Sequence, residues 1–112
     1  MPEPITMFII GFTIGALTAT FWDRIESWAN NALRAIQRGI DSARYSITSA
    51  AYYLVKEGSR YLTKIAIALE DWTKDKNKYI EREDREVDVN SLPDDVKAVL
   101  LQKGNVVLMS SR

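Results

Sequence analysis

The sequence predicts a mostly helical protein that is held in a membrane by its N-terminus. Two observations carry this prediction: an uncharged apolar run that ends at residue 22, and an apolar repeat through residues 23–75. Residues 76–90 are dense in charges of both signs and are predicted to form a linker, and residues 91–112 a small tail with strand and helix patterns. The predicted architecture is a single transmembrane helix, then a long amphipathic helix or helical hairpin, and a strand–helix–strand tail.

The first predicted element is the run Ile5–Trp22, which has eighteen residues and no charged side chain. As a helix it would be about 27 Å long, close to the ~30 Å of a bilayer's hydrocarbon core. Trp22 and Arg24, at its end, are residue types that anchor a span at the membrane interface. A transmembrane anchor over residues 1–22 is therefore expected. The alternatives are a cleaved signal peptide, although no basic residue precedes the run, and a buried helix of a soluble protein.

Small residues recur within this run. Gly11, Gly15 and Ala19 are spaced by four, which in a membrane helix allows another helix to approach closely. They are the predicted helix–helix interface of the membrane segment. The arginines nearest to the run all follow it, so the positive-inside rule places the N-terminus outside and the C-terminal portion in the cytoplasm.

The second predicted element is a helical rod over residues 23–75, a segment that contains no proline. Its apolar residues follow steps of four, three and four, an eleven-residue period that keeps one stripe on nearly the same face of a straight helix. Such a rod must fold back near Gly58, pair with another chain, or lie on a bilayer. The stripe, which is the predicted helix seam, consists of Ile25, Ala29, Ala32, Ile36, Ile40, Ala43, Ile47, Ala51, Leu54, Leu62, Ile65 and Leu69.

The tail is the third predicted element. Ser91 has the character of a helix N-cap, Gly104 that of a residue that ends a helix, and residues 105–109 that of a strand. Because a two-stranded sheet is marginal in water, the tail must pack against something. One possibility is a partner protein, and the other is the chain's own helices. The residues predicted to dock a partner are Val96, Val99, Leu100, Val106 and Leu108.

Composition narrows the function classes. The chain has 15 basic and 15 acidic residues and no cysteine or histidine, so neither attraction to nucleic acid nor a usual zinc site is expected. No nucleophile motif or phosphate loop occurs, which predicts a non-enzyme without cofactor, metal or small-molecule substrate. The predicted function is a membrane-anchored structural or assembly subunit that contacts lipid and forms a homo-oligomer or joins a larger membrane complex. The alternatives are a holin-like or toxin-like membrane-permeabilising protein and a soluble helical-bundle adaptor with Ile5–Trp22 in its core.

Overall fold

A computed structural model of the chain describes residues 6–12, 15, 18–41, 43–74 and 76–111. These residues form one antiparallel sheet of five strands with two helices packed on one face. The spatial order of the strands is β1-β5-β2-β3-β4. In chain order the elements are β1 (Phe8–Ile9), α1 (Ala19–Gly39), β2 (Tyr45–Glu57), β3 (Arg60–Asp71), β4 (Lys76–Glu86), a 3₁₀ turn (Val89–Ser91), α2 (Asp94–Lys103) and β5 (Asn105–Ser110).

The predicted helical rod is wrong, and with it the mostly helical fold class. The helix ends at Gly39, and the rest of the supposed rod is the hairpin of β2 and β3. These two strands are rich in tyrosine, isoleucine and other residues that favour strands. Gly58 begins the two-residue turn between Glu57 and Arg60 with a φ of +61°, which glycine adopts readily and which suits a tight hairpin.

The seam residues are consequently divided between several elements. Three of them are buried on α1 and four in the hairpin. The buried residues on α1 are Ile25, Ala29 and Ile36, and those in β2 and β3 are Leu54, Leu62, Ile65 and Leu69. The remaining seam residues are Ala32 on α1, Ile40 and Ala43 in the connection after it, and Ile47 and Ala51 in β2.

The predicted single-pass membrane helix is also wrong. No helix in the described part of the chain combines the length and the hydrophobicity that a membrane crossing requires. Instead, β1 pairs with β5, Gly11 turns the chain with a φ of +75°, and the Thr18 N–H donates to the Gly15 carbonyl just before α1 begins at Ala19. Positions 5, 13, 14, 16 and 17 of the predicted span lie outside the described residues.

This finding overturns the conclusions that depended on the span. Gly11, Gly15 and Ala19 do not lie on one helix, because only Ala19 belongs to α1. Trp22 is not an interface anchor but a core residue that is 2% exposed. The membrane-anchored subunit, the permeabilising protein and the single-pass localisation with an outside N-terminus are all contradicted, and so is the adaptor as a helical bundle.

The core lies between the sheet and the two helices. One face of α1, from Trp22 to Ile36, packs on the sheet together with Val96 and Leu100 of α2. Every second residue of β2 points toward these helices, and Tyr52 and Leu54 are fully buried there. Burial of this apolar surface is the main stabilising contribution to such a fold.

A polar corner fixes the beginning of β2 to the end of β3. The Asp71 carboxylate accepts hydrogen bonds from Arg44 Nε and Nη2, the latter at 3.0 Å, and from the Thr73 backbone N–H and hydroxyl at 3.0 and 2.7 Å. The Arg44 guanidinium, more than any other group, holds the pKa of Asp71 well below its usual range. Charge-assisted bonds of this kind are the stronger ones in proteins.

The predicted strand–helix–strand tail lacks its first strand, because the 3₁₀ turn Val89–Ser91 precedes the helix. A helix and a final strand occupy the expected positions, and Gly104 ends α2 with a φ of +79° while its N–H donates to the Leu100 carbonyl. The N-cap is Pro93 rather than Ser91. The segment 76–90, expected to be a linker, contains β4, because its charged side chains stand on an edge strand where water solvates them.

Candidate functional site

The sheet has two faces that differ in what covers them. Residues that pair across antiparallel strands share a face, so the registers define both faces. One face packs against α1 and α2. We call the other the open face, because neither helix packs on it. In β2 and β3 it is formed by Ser46, Ser49, Ala51, Tyr53, Val55, Glu57, Arg60, Leu62, Lys64, Ala66, Ala68 and Glu70.

The centre of the open face is a depression with a floor of small residues. Two cross-strand pairs, Ser49–Ala68 and Ala51–Ala66, form the floor, and Ser110 of β5 continues it. The depression has a volume of about 390 Å³ and extends to Tyr79 and Glu81 of β4. Short side chains in the middle of a sheet leave room that a larger side chain of another element can fill.

Large apolar side chains surround this floor. Val107 and Phe8 stand on the β5 and β1 side and are 44% and 60% exposed, while Tyr79 stands on the β4 side and is 77% exposed. At the end of the sheet, the indole N–H of Trp72, a residue 50% exposed, donates to the Ser46 hydroxyl at 3.2 Å. Of the five large apolar residues exposed in the described part of the chain, these four border the open face, and the fifth lies on α2. Such clustering marks an interaction surface rather than scattered exposure.

A charged cluster lies between the depression and the β2–β3 turn. Lys64 Nζ lies 2.7 Å from Glu57 Oε1 and 3.6 Å from Glu81 Oε1. The hydrogen bond with Glu57 is the main cause that raises the pKa of Lys64, so this residue stays protonated. Next to it, burial and then the Glu81 carboxylate raise the pKa of Tyr53 to about 12, which keeps the phenol neutral at physiological pH.

The open face as a whole is acidic. Among the described residues it carries five carboxylates against two cations, Arg60 and Lys64. Three of the carboxylates contact these cations, since Arg60 lies 3.7 Å from Glu86 and Lys64 contacts both Glu57 and Glu81. The five carboxylates belong to Glu57, Glu70, Glu81, Glu83 and Glu86.

A second cleft lies between α1 and the end of β4 with the chain that follows it. Its volume is about 470 Å³, and its walls include Trp28, Arg24 and Asp88. The guanidinium of Arg85 stacks on the Trp28 ring at 4.2 Å, a cation–π contact that occupies both groups. With two arginines and two carboxylates in its lining, the cleft has no net charge that would select a ligand.

The site residues expected from the sequence are distributed differently. Four of the five expected docking residues of the tail are core residues, and Val99 packs against them, so the tail's apolar side is occupied by its own chain. Arg24 lies exposed on α1 beside the second cleft. Of the seam residues, only Ala51 and Leu62 are on the open face.

Other open-face residues were missed by the sequence reasoning. The alternation of Ala66, Ala68 and Glu70 along β3 was a signal that could have found them.

Three kinds of comparison, with family models, with curated proteins and with solved structures, give no match to this chain. In the described residues no group of three or more acidic side chains could hold a metal ion. The expected contact with lipid, and a non-catalytic role, stay predictions.

Proposed function

We propose that this protein is a non-catalytic binding module that receives an amphipathic helix of a partner protein on its open face. The observation that carries the proposal is the small-residue floor bordered by four exposed apolar side chains. A helix is the element that fits this shape. The β4 and β5 sides are three strand spacings apart, about 14 Å, and a helix with its side chains is about 10–12 Å wide.

The size of the surface fits the same occupant. Five strands span about 24 Å across the sheet, and six residues along β2 or β3 span about 20 Å. A footprint near 480 Å² lies below the ~800 Å² per partner of a standard interface, which favours a single docked helix and a reversible complex. The helix supplies the layer that completes a helix–sheet–helix arrangement.

The charge of the open face favours another protein over a second copy. Two copies packed by this face would bring two sets of unbalanced carboxylates together, and juxtaposed like charges oppose association. Homo-oligomerisation through this face, which the sequence suggested as one possibility, is therefore the competing outcome of the test.

The test uses a synthetic helical peptide of about 18 residues, roughly 27 Å long, with a leucine stripe and glutamine elsewhere. NMR titration of the full chain should show shifts at Ala51, Ala66 and Ala68, with a dissociation constant of about 10–100 µM, as expected for a small interface. A scrambled peptide of the same composition, without a stripe, should cause no shifts.

Ala66→Arg places a long side chain in the floor next to Glu81, which can pair with it, so the fold is retained. Peptide binding should weaken at least tenfold. The matched control is Ala35→Arg on the exposed side of α1, which should leave binding unchanged. Absence of binding, or shifts outside the open face, would refute the proposal. If the unmodified chain sediments as a dimer and Ala66→Arg dissociates that dimer, the open face binds a second copy of the chain instead.

A further inference from the structure

The two sides of the depression differ in charge, and this difference specifies the helix. On the β4 side, Glu81, Glu83 and Glu86 pair with successive open-face positions of β3. Among the described residues, the β5 and β1 side has Ser110, Val107 and Phe8 and no charged side chain. A helix lying along the strands would therefore have one flank beside carboxylates and the other beside uncharged residues.

The irregularity of β4 keeps these three carboxylates in one row. Their pairing partners on β3 are Ala66, Lys64 and Leu62, which are two residues apart each time. The register shift near Glu83 is what allows Glu86, three residues further on, to stay on the open face. Two residues of strand correspond to about 6.8 Å, so the row has three carboxylates at nearly even spacing.

The three carboxylates are not equally neutralised. Glu81 shares Lys64 with Glu57, and Glu86 has the partly exposed Arg60 at 3.7 Å. Among the described residues Glu83 has no cationic group within 4 Å. The row thus retains negative charge that a ligand can pair with.

Resting on the proposed function, we infer that the partner helix carries basic residues on one flank only, at positions i, i+4 and i+8. Residues four apart on a helix are separated by about 6.0 Å along its axis, which nearly matches the ~6.8 Å step of the row. With the lysines or arginines of this flank beside β4, the apolar stripe of the same helix lies over the small floor. The row therefore fixes the lateral orientation of the helix, because the reverse placement puts its cations beside Phe8 and Val107.

The experiment compares three versions of the leucine-stripe peptide with lysine, glutamine or glutamate at the three flank positions. Fluorescence anisotropy with the full chain at about 0.05 M salt should give about tenfold tighter binding for the lysine peptide than for the glutamine peptide, and the weakest binding for the glutamate peptide. At about 1 M salt the three affinities should converge to within about twofold, because exposed ion pairs are screened.

Glu83→Lys should abolish the preference for the lysine peptide while the glutamine peptide binds as before. The matched control is Glu26→Lys, the same charge change at an exposed position of α1, and it should retain the preference. Equal binding of the lysine and glutamine peptides to the unmodified chain would overturn the inference and leave the proposed function standing. An equal loss of the preference in the Glu26→Lys control would also overturn the inference, because the preference would then reflect the overall charge of the chain and not the carboxylate row. If no peptide binds, the proposed function itself fails.

Discussion

Replacing Gly58 by alanine should change the stability in opposite directions in the observed hairpin and in a continuous helical rod. In the hairpin, Gly58 has a φ of +61°, where a Cβ costs roughly 1–2 kcal/mol, although no atom outside its own neighbourhood lies within 4 Å of that Cβ. Alanine also restricts the unfolded chain, which offsets about 0.4–1 kcal/mol. The net expectation is a loss of up to about 1.6 kcal/mol. In a continuous helix the same change would instead stabilise by about 1 kcal/mol.

The expected shift can be measured by thermal unfolding. At about 2.1 cal/mol/K per residue, the 112-residue chain unfolds with an entropy near 0.24 kcal/mol/K. Gly58→Ala should therefore lower the Tm by up to about 7 °C, whereas a helix would show a rise of about 4 °C. Circular dichroism monitors both the melting and the strand content of the folded state.

Two control variants test the cause of the shift. Gly39→Ala, at the end of α1, meets no atom within 4 Å and has no positive φ, so it should be neutral or raise the Tm slightly. Gly58→Asn should lose less than Gly58→Ala, because asparagine tolerates the left-handed region better. A higher Tm for Gly58→Ala than for the unmodified chain would refute the hairpin and the sheet built on it.

Three further expectations follow from other parts of the fold. Tyr52→Phe removes a 2.6 Å hydrogen bond from the buried phenol to Asp84. Urea unfolding should show that the free energy of unfolding falls by about 1–2 kcal/mol. An unchanged stability would count against that bond. The lowered pKa of Asp71 contributes stability that is present above the ordinary carboxyl pKa of about 3.9 and lost as the pH falls toward the folded value. Between pH 5 and pH 2, about the range over which carboxylates take up protons, the Tm of the unmodified chain should therefore fall more than that of Asp71→Asn. Parallel curves of Tm against pH for the two proteins would contradict this. Leu100→Ala leaves a cavity at a fully buried position of α2 and should lower the free energy of unfolding by about 2–5 kcal/mol in the same urea assay. A loss below about 1 kcal/mol, which is typical of a surface substitution, would be inconsistent with the packing.

The sequence predicted the first part of the apolar repeat in its correct structure and the second part in the wrong one. Ile25, Ala29 and Ile36 are buried on one side of α1, as a helical period requires. Beyond residue 44 the same steps continue in strands. A step of four keeps two residues on one face in a strand as well as in a helix, so that step cannot distinguish the two structures.

The steps of three do distinguish them, and in the hairpin they fail. Ala51 lies on the open face, whereas Leu54, three residues later, is fully buried on the helix side. Leu62 and Ile65 are separated in the same way. The apolar run at the N-terminus was misinterpreted for a related reason. Its apolar side chains, Met7 and Trp22 among them, pack into the core of the fold and do not face lipid.

The reason why the strands were hard to recognise also supports the proposed docking site. In a sheet with one solvated face, the outward positions are polar and the sequence alternates clearly. Here the outward positions of β2 and β3 include Ala51, Tyr53, Val55, Ala66 and Ala68, so both strands read as nearly continuous apolar runs. Such runs are typical of strands that are covered on both faces. Only one face is covered by α1 and α2, and the composition of the other is that of a surface which another element completes. The ambiguity in the sequence and the interaction surface in the structure therefore have one physical origin.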